Sequence, residues 1–126
     1  MTPAITQLRT DDADGTAVET TEHMDQAVGA ATVTLKGRLD SLEAQGLRDT
    51  VRRLISSGCR QMSIDLTEVT FIDSAGLAVL VRTHRELQAS GGELVLVRPS
   101  GENANRIFQL TQFDQIFTMR DAAPEE

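Results

Sequence analysis

Tryptophan and tyrosine are absent from the 126 residues, and Phe71, Phe108, Phe113 and Phe117 are the only aromatic side chains. Four rings are too few to stack bases along a strand, and the basic residues form no stripe, so nucleic acid is not expected as a direct ligand. The single cysteine, Cys59, excludes an intramolecular disulfide and a thiolate metal cluster. With only His23 and His84 besides, there is little for a metal to bind. No run approaches the roughly 18 apolar residues that a membrane span requires. No basic stretch followed by an apolar one opens the chain, so the reading is a cytoplasmic protein without membrane insertion.

What is present describes one small domain. A 40% hydrophobic fraction with 25% charged residues is ordinary for a globular chain long enough to bury a core without staples. The formal net charge is −7, yet the acid is concentrated at the ends. Residues 1–30 carry six acids against Arg9, and residues 121–126 carry Asp121, Glu125 and Glu126 with no base, whereas residues 31–120 hold ten acids and eleven bases. The acidity therefore belongs to the tails. Eleven of the twelve bases are arginines, scattered singly or as the Arg52-Arg53 pair, the pattern of a solvated surface.

Hydrophobic period then divides the chain. Residues 1–14 are rich in Thr, Asp and Ala with no sustained period, and are expected to be a flexible acidic segment. Residues 17–24 are a candidate edge strand. Ala31, Val33 and Leu35 alternate with Thr32, Thr34 and Lys36, the period of a half-buried strand, and Gly37 follows. Asp40-Ser41-Leu42-Glu43 resembles a capping box, and Ala44, Leu47, Val51, Leu54 and Ile55 follow at helical spacing, predicting a helix over 41–57 that Gly58 stops. Met62, Ile64 and Leu66 predict a second strand running toward Val69 and Phe71. Leu77, Leu80, Val81, His84 and Leu87 predict a helix over 75–89, which Gly91-Gly92 ends. Residues 93–98 read as a central strand, 102–110 as a last helix and 115–119 as a short last strand. Strands alternating with helices predict an α/β (α+β) fold, a mixed sheet with helices packed mainly on one face.

The turn Ile72-Asp73-Ser74-Ala75-Gly76, where a strand gives way to a helix, is the candidate site. One reading makes Ser74 or Asp73 a helix cap, worth about 1 kcal/mol. The other makes Ser74 a modification site, because a helix N-terminus tolerates a phosphate and a phosphoserine adds about −1.5 to −2 charges to a surface turn. An enzyme reading fails on geometry: His84 stands ten residues after Ser74 on one helix, about 15 Å along its axis, so Ser74, His84 and Asp73 cannot form a triad. His84 lies on the apolar stripe and reads as a core histidine, and Cys59 reads as a small buried hydrophobe. No phosphate-cradling glycine motif is present.

Gly37-Arg38-Leu39-Asp40, Ile64-Asp65-Leu66 and above all Phe71-Ile72-Asp73-Ser74-Ala75-Gly76-Leu77 resemble the STAS family of anti-sigma factor antagonists. The resemblance covers residues 15–120, followed by an acidic tail over 121–126. It implies a non-enzymatic domain that, when unphosphorylated, binds an anti-sigma factor that is also a serine kinase, and so frees a sigma factor for transcription. The kinase would phosphorylate Ser74, a PP2C-type phosphatase would reverse it, and ATP and Mg²⁺ would belong to the kinase, leaving the domain without a cofactor. Asp40, Asp73, Ser74, Ala75, Gly76 and Leu77 are the implied partner-binding residues, with Gly76 allowing close backbone approach. The resemblance leaves open a STAS subunit of a stressosome or of a phospholipid ABC transport system, since fold does not choose among partners. Family members often carry T-G-L-D before the last strand, where this chain has Thr111-Gln112-Phe113-Asp114, so Gln112 stands where a helix-ending glycine is usual.

Overall fold

The structure is a computed structural model that describes residues 4–10, 19–25 and 28–122. It has strands β1 (Ala4–Thr10), β2 (Glu19–Asp25), β3 (Ala30–Leu39), β4 (Gln61–Ile72), β5 (Glu93–Val97) and β6 (Thr118–Arg120). Helix α1 (Ser41–Ser56) joins β3 to β4, α2 (Ser74–Ala89) joins β4 to β5, and α3 (Glu102–Thr111) leads into β6. The six strands form one sheet in sequence order, antiparallel from β1 to β3 and parallel from β3 to β6.

A parallel neighbour requires a crossover, and crossovers of one hand along a sheet in sequential order stack their helices on the same face. Burial follows that rule. Val33 and Leu35 of β3, Ile64 and Leu66 of β4, and Leu94 and Leu96 of β5 are at most 1% exposed. Between them Thr32 and Lys36 are exposed, and Thr34, Ser63, Asp65 and Val95 are half-buried. Leu47, Val51 and Leu54 of α1, Leu80 and Leu87 of α2, and Phe108 of α3 close the core from the helical side. The predicted stripes are thus the buried ones, except that Ile55 of α1 and Val81 and His84 of α2 are half-buried.

His84 is half-buried, its ring meeting that of Phe117 edge to face at a centroid distance of 5.6 Å, and it also lines a groove with Gln61, Gln88 and Thr118. Cys59 is fully buried, and desolvation pushes its thiol pKa up, so it behaves as the small hydrophobe its setting suggested.

Two expectations need correction. Residues 1–14 are not a featureless lead, because Ala4–Thr10 forms β1 and pairs with β2 from Ala4↔Asp25 to Thr10↔Glu19. Without β1 the outer backbone groups of β2 would form an open edge, and the β-branched Ile5, Thr6 and Thr10 favour extended backbone. A polar strand of this kind carries no hydrophobic period, which is why periodicity did not reveal it. The remaining residues of that segment lie outside the described ones. At the other end, residues 115–119 are not one strand: a 3-10 turn at Phe113–Gln115 precedes β6. Asp121, the first residue of the expected tail, is tied to Arg98 at 2.9 Å, and residues 123–126 lie outside the described ones.

Gln112 ends α3 in the left-handed region, at φ 61°, and its N–H donates to the Gln109 carbonyl at 3.2 Å. It is the one residue other than glycine with positive φ among those described. The helix end that glycine usually makes is therefore kept, with the steric cost of a Cβ. Gln112→Gly is expected to stabilise the domain by about 1 kcal/mol and to raise the melting temperature in a thermal denaturation; an unchanged or lower melting temperature would contradict the strain.

Candidate functional site

Strands β3 and β4 end side by side, with Leu39 paired to Ile72. Gly37, at φ 98°, sits where the β3–β4 register shifts, a bulge that only glycine makes without strain. Each strand then turns directly into a helix through an Asp-Ser pair. Asp40 caps α1, its Oδ1 accepting from the Glu43 N–H at 3.2 Å. Asp73 caps α2, its Oδ1 accepting from the N–H groups of Ala75 and Gly76 at 3.0 Å each. The N-terminal ends of both helices, with their partial positive charge, therefore share one end of the sheet.

This arrangement separates two roles that residue type leaves together. Asp73 is the cap. Ser74 is the first helical residue, exposed, and its hydroxyl has no hydrogen-bond partner among the described residues. The turn is also held from β3: the Asp73 N–H donates to the Leu39 carbonyl at 3.2 Å. His84 lies ten residues along α2 from Ser74 and packs on Phe117, so it does not meet Ser74 in a triad.

The other expected site residues divide by burial. Asp40 and Ala75 are half-buried beside the turn, whereas Gly76 and Leu77 are buried. Leu77 anchors the first turn of α2 in the core. Gly76 faces Leu39, and a Cβ built on it would stand 2.7 Å from the Leu39 carbonyl oxygen and 2.8 Å from its Cγ. These two shape the turn, and Leu77 also lines a groove along α2 beside Ser74.

Three further residues flank the site that were not among the expected site residues. Leu42, in the first turn of α1, is 71% exposed, and Phe71, at the end of β4, is 37% exposed. The guanidinium of Arg38 lies 4.2 Å from the Phe71 ring centroid, across the register pair of those two residues. Leu42 falls outside the stripe of Ala44, Leu47, Val51 and Leu54, and that phase is the sequence signal that could have marked it.

Gly76→Ala is expected to destabilise the domain by about 1–3 kcal/mol, because the backbone carbonyl of Leu39 cannot swing aside as a flexible side chain would. Urea denaturation measures this, and a loss below about 0.5 kcal/mol would mean that α2 can shift away from β3 freely.

The chain is 33% identical over 84 residues to the anti-sigma-B factor antagonist of Bacillus subtilis, an alignment covering 67% of this chain and 75% of that protein. It is 28% identical over 105 residues to the anti-sigma-B factor antagonist of Listeria monocytogenes, covering 83% and 85%. Among solved structures it resembles the anti-sigma factor antagonist SpoIIAA in its unphosphorylated form, with a TM-score of 0.62 at 20% identity over 94% of this chain and 90% of that one. The phosphorylated form of the Bacillus protein SpoIIAA matches at the same TM-score and identity, covering 94% and 92%. The STAS domain family model matches residues 20–125, spanning the paired strand ends, both capped turns and the three helices, and the chain belongs to the STAS domain family.

Proposed function

We infer that this protein is an anti-sigma factor antagonist whose unphosphorylated form binds an anti-sigma factor, and that modification of Ser74 ends the binding. The observation that carries this reading is the free, exposed hydroxyl of Ser74 on a turn whose capping is done entirely by Asp73. A serine needed as a cap would resist modification, whereas this one can be esterified with the helix N-terminus intact. The names of the relatives and the two forms in which SpoIIAA has been solved support the same reading.

In this mechanism the domain is a substrate and a ligand, and the chemistry belongs to its partners. The anti-sigma factor is also a serine kinase and brings ATP and Mg²⁺, and a PP2C-type phosphatase returns Ser74 to its hydroxyl form. Ser74, Asp73, Ala75 and Asp40 meet the kinase, with exposed Leu42 and Phe71 as the apolar part of the surface, while Gly76 and Leu77 hold the turn in place. A phosphate adds about −1.5 to −2 charges at the centre of that surface. Charge left unpaired in an interface weakens it without unfolding either partner.

The expected outcome is graded. In calorimetric titration with its anti-sigma factor, Ser74→Ala keeps an affinity within about twofold of wild type, and the kinase no longer phosphorylates it. Ser74→Glu loses at least about tenfold, equivalent to about 1.4 kcal/mol. Equal affinity of Ser74→Glu and wild type would remove the charge switch, and full phosphorylation of Ser74→Ala would remove Ser74.

A further inference from the structure

The helical layer beside the switch carries a concentration of unpaired positive charge. A groove of about 460 Å³ runs along α2 from Ser74 and is lined also by Ala78, Arg82, Arg85 and Phe113. A second groove, of about 340 Å³, runs between α1 and α2 and brings Arg48 to the same Ala78 and Arg82. Among the described residues no carboxylate lines either groove. Arg48, Arg82 and Arg85 are exposed and make no ion pair or hydrogen bond among the described residues.

We propose that Arg82 is the internal counter-ion of a phosphate carried on Ser74, so that modification draws one guanidinium of the groove toward the turn as well as adding charge there. The inference rests on the reading of Ser74 as the modified residue. Ser74 and Arg82 stand eight residues apart on α2, about 12 Å along its axis at 1.5 Å per residue, and line one groove with Ala78 between them. The methyl of Ala78 between them is exposed and small, so it leaves the path open. Long side chains on a helix lean toward its N-terminus, which carries the guanidinium of Arg82 back over Ala78 toward the phosphate.

Glu86 follows Arg82 by four residues and is exposed, but an acid placed C-terminal to its base is the weaker orientation and lies opposite to the lean of the arginine. The Asp73 Oδ1 is committed to two backbone N–H groups, and the Asp40 Oδ1 to that of Glu43. Arg85 lines the groove that holds Ser74 one turn further along α2, and Arg48, on α1, lines only the second groove. Arg82 is the base common to both grooves.

The test uses the full chain with phosphoserine installed at position 74 during translation, so that no kinase is required. Phosphorus NMR then follows the second ionisation of the phosphate against pH in wild type, Arg82→Gln and Arg48→Gln. An adjacent guanidinium favours the dianion, so the expected wild-type pKa lies about one unit below the ordinary value near 6. Arg82→Gln is expected to raise it by at least about half a unit, and 1 M salt to shrink the difference between the two proteins. A midpoint unmoved by Arg82→Gln, or moved only by Arg48→Gln, overturns the assignment. The titration reads the domain alone, so it can fail while partner switching stands, and partner switching can fail while the phosphate still pairs with Arg82.

Discussion

The approach of the first turn of α2 to the Leu39 carbonyl is the contact on which the geometry of the site depends. It exists because Gly76 has no Cβ: a methyl group there would lie 2.7 Å from a backbone oxygen. The same carbonyl accepts the Asp73 N–H at 3.2 Å, so β3 holds the α2 turn by a hydrogen bond and by close packing at once. With Leu77 anchored in the core immediately after, the turn has little freedom to relax. Ser74 is thus displayed, exposed, from a rigid support.

The two ends of the parallel pair β3 and β4 are built alike. Each closes on an aspartate whose carboxylate satisfies otherwise unpaired helix donors, and each places a serine next, at the first helical position. The helices differ in what they set around that serine. Ser41 is followed by exposed Leu42, whereas Ser74 is followed by the half-buried Ala75 and the buried Gly76. Apolar surface from α1 and from Phe71 therefore flanks the α2 turn, and the hydroxyl at its centre is left to solvent.

Much of the fold was legible because its burial is periodic. A sheet covered on one face obliges its strands to alternate, and helices laid on that face show a stripe at the spacing of their own turn. The strands of Val33, Ile64 and Leu96 and the helices of Leu47 and Leu80 satisfy both rules. Where burial is not periodic, pattern said nothing. β1 draws its place from backbone pairing to β2, which leaves no mark on composition. The left-handed end of α3 occurs at Gln112 although the chain lacks the residue that normally announces it, because the following segment returns Phe113 and Phe117 to the core side and closes the backbone there.

The sequence by itself determined the alternation of strands and helices, the position of the Asp73-Ser74 turn at a strand-to-helix junction, and the impossibility of a triad through His84, since each follows from spacing along the chain. Only the tertiary structure decided which residue caps α2, because Asp and Ser serve equally by type and the choice depends on where each side chain points once β3 lies alongside. Tertiary structure likewise decided that Gly76 and Leu77 face inward, that Leu42 and Phe71 remain outside, and that arginines far apart in the chain share the grooves beside Ser74. These are properties of elements packed against one another, and no local period encodes them.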